Sequence, residues 1–347
     1  MKIGLVGYQG SGKSTLFEWL TGVRPDPALA HTSQSAMAEV PDDRVEPLVQ
    51  VYKPKKITRA ALELVDTPGL SRTHEGNAAR LGLLREAGAL VLVVAGFGGA
   101  DPLVDLATFE EDLLLADLQI VTGRVERLRE GLKKPKPGKE REQDEAELAH
   151  LQPLLDTLEA GKSIRDVPMT DEQLKVTNSF RLLTQKPRMV VVNLADDDDP
   201  HRFAAQASAK TGGPVEIAAI PLGLELELAR MSPEDRADFV AEMGLSPADR
   251  DNLLKKIMAV SGQFLYFTAG EKEVRTWMLH IGGTALEAAD NIHTDLARGF
   301  IRAEVMRAED LVRLGSEREI KAHNLLRQEP KDYVVRDGDI LHIKFSV

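Results

Sequence analysis

The stretch KIGLVGYQGSGKST at residues 2–15 limits what this chain can fold into more than any other. An apolar run, Ile3 to Val6, enters a glycine-rich turn that ends in Lys13 and Ser14. Residues 7–14 fit G-x-x-x-x-G-K-[ST], the P-loop pattern. Glycines let the backbone curl until its N–H groups point inward at phosphate oxygens. The following TLFEWLTG reads as a helix, whose positive N-terminal end adds to the same anion site. A strand before the turn and a helix after it predict an α/β domain with a mostly parallel sheet. Gly7, Gly10, Ser11, Gly12, Lys13, Ser14 and Thr15 are the expected phosphate-binding residues. Lys13 would neutralise the β- and γ-phosphates, and the Ser14 hydroxyl would ligate Mg²⁺.

A P-loop needs an acid near the metal, at the end of a neighbouring strand. ALELVDTPGL at 61–70 supplies one. Ala61, Leu62, Leu64 and Val65 make an apolar strand, and Asp66 stands at its C-terminal end, where ligands bind in open α/β sheets. Asp66 is the expected second metal ligand, and the Gly69 N–H can meet the γ-phosphate beside Lys13. Leu70 occupies the place of the water-orienting Gln of Ras-like enzymes. A leucine cannot polarise water, so hydrolysis needs another group or stays slow. A Mg²⁺-sensing hydroxyl is expected within PALAHTSQSAMAEV, with Thr32 as the choice. Ser33 and Ser35 are chemically equal to the task, and a plain polar loop is an equal reading.

A third buried strand, Arg188 to Val192, runs into Asn193-Leu194-Ala195-Asp196. P-loop GTPases carry N-K-x-D at such a strand end. Its Asn braces the P-loop and its Asp accepts two hydrogen bonds from guanine. Asn193 and Asp196 are therefore expected at the base, with Leu194 in place of the Lys. Asp197, Asp198 and Asp199 read as a solvated loop.

Composition narrows the classes. No cysteine is present, which excludes disulfides and thiolate metal sites. The formal net charge of -11 argues against general coating of nucleic acid, and no DNA partner is expected. The longest apolar run, ALVLVVAGF at 89–97, is too short to span a bilayer. MKIGLVG enters the motif directly, without a signal peptide. The expectation is a cytoplasmic chain with no membrane partner.

The same residues carry a family resemblance. KPKKITRAALELVDTPGL, FEEDLLLADLQIV, YFTAGEKEVRTW, IHTDLARGFIRAEV and DYVVRDGDILHIKF resemble the YchF family, Obg-related P-loop NTPases. The last three segments resemble its C-terminal TGS domain, a small β-grasp module. The resemblance implies a purine nucleotide, Mg²⁺, and the ribosome or ribosomal RNA as partner. It also marks departures. Gly10-Ser11 replaces the family's Asn-Val, which puts potassium dependence in doubt. Asp196 stands where the family usually has Glu and tolerates ATP. Pro221-Leu222-Gly223 replaces a Ser-Ala-Lys-like element, leaving Leu222 and Gly223 to flank the base. The loop GFGGADPLVDL lacks the histidine proposed as catalytic in the family.

With 347 residues, two or three domains are expected. The nucleotide domain is assigned to 1–110 and 186–262, a helical coiled-coil insertion to 111–185, and the TGS domain to 263–347. Leu114, Leu118, Val121, Val125, Leu128 and Leu132 form a heptad seam, and Leu148, Leu151, Leu155 and Leu158 form its partner. KKPKPGK at 133–139 breaks the two into an antiparallel hairpin. Its tip reads either as a solvated turn or as an RNA contact through Lys133, Lys134, Lys136 and Lys139. Pro153 should kink or break the second arm. Thr170 and Gln173 form a capping box for a helix leading to Leu183. A helix is expected near 309–326, then two strands joined by an Asp337-Gly338 turn. His280, His293 and His342 lack metal-ligand spacing. The expected activity is slow Mg²⁺-dependent hydrolysis of GTP, with ATP possible. Two rivals are a nucleotide-binding scaffold with vestigial chemistry and an RNA-binding adaptor.

Overall fold

The computed structural model describes residues 1–196, 198 and 215–346. Contacts divide the chain into two units. One comprises Met1–Ala36 with Glu63–Arg250, the other Met37–Leu62 with Asp251–Val347.

The glycine-rich segment belongs to a six-stranded sheet. Its strands are β1 (Lys2–Val6), β2 (Gln34–Glu39), β4 (Ala61–Asp66), β5 (Ala89–Gly96), β6 (Arg188–Leu194) and β7 (Glu216–Ile220), in the order β2-β4-β1-β5-β6-β7. The two-residue β3 (Ile57–Thr58) belongs to the other unit. β1 pairs in parallel with β4 and β5, placing Leu5 opposite both Asp66 and Val91. β5, β6 and β7 continue in parallel, and Asn193 lies opposite Ala95 and Ile220. Nearly every residue of β5 and β6 is buried, as central parallel strands covered on both faces require. This parallel register brings the ends of β1, β4, β5 and β6 to one edge of the sheet.

Helix α1 (Lys13–Thr21) follows the P-loop. α3 (Asn77–Leu84) precedes β5, and α4 (Pro102–Leu132) follows it. α4 is one continuous helix of 31 residues, started by the Asp101 carboxylate, which accepts from the Leu103 and Val104 N–H groups. It therefore begins well before residue 111. Its first turns bury Leu106, Phe109 and Leu113 against the sheet. Its later turns pack Val121, Val125 and Leu128 against Leu151, Leu154, Leu155 and Leu158 of α5 (Gly138–Glu159). The expected helical hairpin is thus present. α5 is one continuous helix through Pro153, so the expected break is absent. Packing of three leucines around that point outweighs the one backbone hydrogen bond that proline removes. At the hairpin tip Lys133 pairs with Glu130 and Lys136 with Asp144, which offsets part of the basic charge.

The Thr170–Gln173 capping box forms, but its helix ends at Thr177 rather than near Leu183. Arg181 adopts a left-handed φ of 48°, and the chain turns back toward α4. There Asp117, fully buried, accepts from Leu183 N, Thr184 N, Thr184 Oγ1 and Arg85 Nη1 at 2.7–3.0 Å.

The second unit has its own six-stranded sheet. It contains β8 (Gln263–Ala269), β9 (Val274–His280), β10 (Phe300–Arg307), β11 (Arg327–Glu329) and β12 (Asp339–Phe345), in the order β11-β10-β12-β8-β9-β3. β8 and β9 form an antiparallel hairpin. β12 is inserted between β10, antiparallel, and β8, parallel. A helix, Ala285–Ile292, covers one face and opens with a Thr284–Glu287 capping box. This is a β-grasp arrangement. Two expectations change here. Residues 309–326 form two short helices, Ala308–Leu314 and Glu317–Ala322, because Gly315 takes φ 78° and Ser316 starts the second. Residues 333–335 make only an isolated bridge, Thr284 to Val334, so no hairpin precedes β12. The Asp339 carboxylate, fully buried, instead binds Tyr333 Oη, Arg336 N and Arg307, and this holds the segment as a turn.

Residues 37–62 fall in the range expected for the nucleotide domain, yet they complete the second unit's core. α2 (Val45–Tyr52) buries Val45 and Leu48 with Phe267, Met306, Leu311 and Ile340. β3 pairs in parallel with β9. Arg44 bonds Asp42 and Asp337 and lies over the Phe267 ring at 5.1 Å. Among the described residues no helix is long and apolar enough to cross a membrane.

Replacing Asp117 by Ala leaves two backbone N–H groups, a hydroxyl and a guanidinium without their acceptor. Urea denaturation should then show a loss of about 3–5 kcal/mol, as for one member of a buried ion pair. A loss below about 1 kcal/mol would remove Asp117 as the anchor of α4.

Candidate functional site

At the C-terminal end of β1 the chain bends through Gly7, Gly10 and Gly12, with φ of 146°, 79° and 96°. Two of these positions have no room for a side chain. A Cβ on Gly7 would lie 2.3 Å from the Val93 carbonyl oxygen, and one on Gly12 would lie 2.1 Å from Asn193 Nδ2. The motif's glycines are therefore set by backbone conformation and close approach together. The segment after Asp66 clamps the loop from the other side. Leu70 N–H donates to Gly7 O at 3.0 Å, and Gln9 N–H donates to Leu70 O at 2.9 Å. Gly69 sits in this clamp, where a Cβ would stand 2.8 Å from Lys13 Nζ and 2.9 Å from Gln9 N.

Lys13 and Asp66 are both buried at this edge, each with 7% exposure. Lys13 Nζ donates to the Tyr8 carbonyl at 3.2 Å, and Ser14 Oγ donates to Asp66 Oδ2 at 2.7 Å. Burial pushes the Lys13 ammonium below its ordinary pKa, while the Asp66 charge opposes this. Burial likewise pushes the Asp66 carboxyl upward, against the Ser14 hydrogen bond and Lys13. Burial thus opposes each charge, and the other charge offsets part of that cost. Two buried oxygens at the site, Asp66 Oδ1 and Ser11 Oγ, have no hydrogen-bond partner among the described residues. A hard divalent cation fits the Asp66 and Ser14 oxygens. A phosphate chain fits the glycine loop with its lysine.

A cavity of about 370 Å³ adjoins these groups, lined by Lys13, Ser14, Thr15, Asp66, Gly69 and Thr32 among others. Thr32 is one of the lining residues, and its hydroxyl donates to Leu29 O at 2.9 Å. A larger cavity of about 590 Å³ lies on the other side of the P-loop. Gly10, Gly12, Lys13, Ser14 and Thr15 line it, together with Phe97, Leu194, Asp196 and Gly223.

Asn193 joins the two halves of that larger cavity. Its Nδ2 donates to Ser11 O at 3.2 Å, and its Oδ1 accepts from Leu222 N at 3.1 Å. The side chain therefore braces the P-loop and the loop after β7. Asp196 is exposed in the cavity wall, and a Cβ on Gly223 would be 3.8 Å from its Oδ1. The Leu222 side chain is fully buried, so only its N–H serves the site. Asp197 and Asp199 lie outside the described residues. Phe97 is a lining residue that the sequence reading passed over. Its signal was its place just beyond the end of β5, on the ligand edge. The three C-terminal histidines have local contacts instead: His280 with Glu287, His293 with the Asp295 N–H, and His342 with Ala269 O.

A glycine-rich phosphate loop, a lysine, a Ser–Asp pair and a base-sized cavity on a parallel sheet define a P-loop NTPase. Comparison with known proteins agrees. A family model described as a 50S ribosome-binding GTPase matches residues 2–122, and the YchF-GTPase C-terminal model, a protein of unknown function, matches 264–346. The ribosome-binding ATPase YchF of Bacillus subtilis is 34% identical, covering 99% of both chains. Obg-like ATPase 1 of rice is 34% identical, covering all of this chain and 92% of its own. The Schizosaccharomyces pombe YchF GTPase structure superposes with a TM-score of 0.82 at 25% identity, covering 99% of this chain and 97% of its own. The chain belongs to the YchF family. It is a nucleoside-triphosphate hydrolase of the P-loop class.

Lys13 is the cation buried against the loop, so Lys13→Ala should abolish tight triphosphate binding. Calorimetry with Mg²⁺–nucleotide checks this. Unchanged affinity would rule out the loop as the phosphate site.

Proposed function

We propose that this chain hydrolyses the γ-phosphate of a purine triphosphate with Mg²⁺ and works as a nucleotide-dependent switch on the ribosome. The observation that carries the reading is the pair of cavities meeting at Lys13, Ser14 and Thr15, one at Asp66 and one at Asp196. A triphosphate lying along the P-loop would put its base in the larger cavity and its γ-phosphate in the smaller. Ser14 and Asp66 would hold the metal, which would neutralise charge on the β- and γ-oxygens. Lys13 and the Gly69 N–H would contact the γ-phosphate. Relatives named for ribosome binding support a ribosomal partner and, with it, a cytoplasmic location.

In this reading Asn193 acts on the base site indirectly, because both ends of its carboxamide are already bonded to backbone. Asp196 is the group that reads the base. Its carboxylate can accept from the guanine N1–H and exocyclic amine, whereas adenine offers no N1–H. Phe97 and Leu194 supply apolar surface for either purine. With no lysine at 194, discrimination is modest. The family's ATPases set the opposite expectation, so the choice of base is the decisive measurement.

Competition should favour GTP over ATP by ~10-fold, about 1.4 kcal/mol. Asp196→Asn should erase the preference. A preference for ATP, or an unchanged ratio in the variant, would leave Asp196 as an ordinary turn residue. Intrinsic turnover should be slow. Leu70 is buried in the core, and even Ras with its Gln turns over at only ~10⁻⁴ s⁻¹. Steady-state phosphate release, with and without ribosomes, measures it. A rate near ~1 s⁻¹ for the isolated chain would contradict the expectation.

A further inference from the structure

We infer that Gln9 of the P-loop positions the attacking water, from the loop bridged to Leu70, the place where Ras-like enzymes keep their glutamine. The inference rests on the hydrolase reading above and adds a residue to it. Three observations carry it. Tyr8 and Leu70 form a parallel bridge, and both are buried, with 2% and 1% exposure. Gly69, the neighbour of Leu70, lines the cavity of Lys13, Ser14 and Asp66. Second, the approach is close. The position of a Cβ on Gly69 is 3.0 Å from Gln9 Cα and 2.8 Å from Lys13 Nζ. Gln9 thus starts its side chain beside the group that meets the γ-phosphate. Third, Gln9 is exposed, and its carboxamide has no hydrogen-bond partner among the described residues.

A carboxamide offers one acceptor and two donors. At this place the oxygen can accept from the water while the NH₂ group donates to a γ-phosphate oxygen. Gln9 takes no proton itself. The water oxygen bonds the γ-phosphorus, and the bond from that phosphorus to the β–γ bridging oxygen breaks. One water proton passes to a γ-phosphate oxygen, leaving nucleoside diphosphate and inorganic phosphate. Leu70 cannot serve this step, because its side chain packs among Tyr8, Leu81 and Phe109.

The test uses the full chain with Mg²⁺ and GTP or ATP, in single-turnover reactions. Gln9→Ala and Gln9→Leu leave untouched the backbone bonds that hold the loop. Both variants should cleave about 100-fold more slowly, the scale of losing one positioned hydrogen-bond group. Their affinity for a non-hydrolysable triphosphate should stay within about twofold, the mark of an interaction made only in the transition state. Both should also lose binding of nucleoside diphosphate with aluminium fluoride while keeping nucleoside diphosphate alone. A cleavage rate within about twofold of wild type, or a fall in affinity that matches the fall in rate, overturns the inference. A wild-type chain that binds triphosphate without cleaving it overturns the hydrolase reading and this inference together.

Discussion

Two backbone hydrogen bonds, from Leu70 N–H to Gly7 O and from Gln9 N–H to Leu70 O, hold the phosphate site in shape. They join the glycine-rich loop to the segment that leaves β4. The buried pair beneath them, Tyr8 and Leu70, carries the connection further. The Tyr8 ring meets Phe109 edge-on at 5.8 Å, and its hydroxyl donates to Asp112 Oδ2 at 3.0 Å. Asp112 also faces His74 Nδ1 at 3.1 Å, and Arg72 bonds Asp105. Phe109, Asp112 and Asp105 all belong to α4. Residues 69–74 therefore cannot shift without breaking or remaking bonds to the helix that forms the long hairpin. The Tyr8 phenol is held well above its usual pKa, chiefly by burial and then by Asp112, so it remains a donor at neutral pH.

The charges at the site depend on each other in the same way. Burial penalises Lys13 and Asp66 alike, and each relieves the other only in part. An anion beside Lys13 would stabilise the ammonium, and a cation beside Asp66 would stabilise the carboxylate. Asn193 adds a mechanical link. One carboxamide ties the P-loop to the loop after β7.

The parts legible in the sequence were those where one residue type is required by geometry. Gly7 and Gly12 could be read because their positions have no space for a Cβ. The strand ends at Asp66 and Asn193 could be read because parallel strands announce themselves as apolar runs. The hairpin of α4 and α5 was legible from its leucine spacing. What was not legible depended on contacts between distant stretches. Nothing local to Pro153 reveals that buried leucines on both sides keep α5 continuous. The turn before β12 is set by Asp339, whose partners Arg307 and Arg327 come from elsewhere in the fold. Leu222 looked available to a ligand, whereas its side chain is buried and its N–H is bonded to Asn193. Gln9 and Phe97 carry no motif of their own, and only their places beside Gly69 and at the end of β5 single them out.

The second unit is assembled from two stretches that are far apart in sequence, and this changes how the chain can be cut. A fragment that begins after residue 262 keeps four of the five long strand pairings but loses α2. Val45 and Leu48 would leave Phe267, Met306 and Ile340 facing solvent, and Asp337 would lose Arg44. Conversely, stopping the chain near residue 250 strands α2 without the apolar bed it was shaped for. The linear order of the gene therefore overstates the independence of its C-terminal third: that module is a folded object with two entrances and no single seam at which it can be removed.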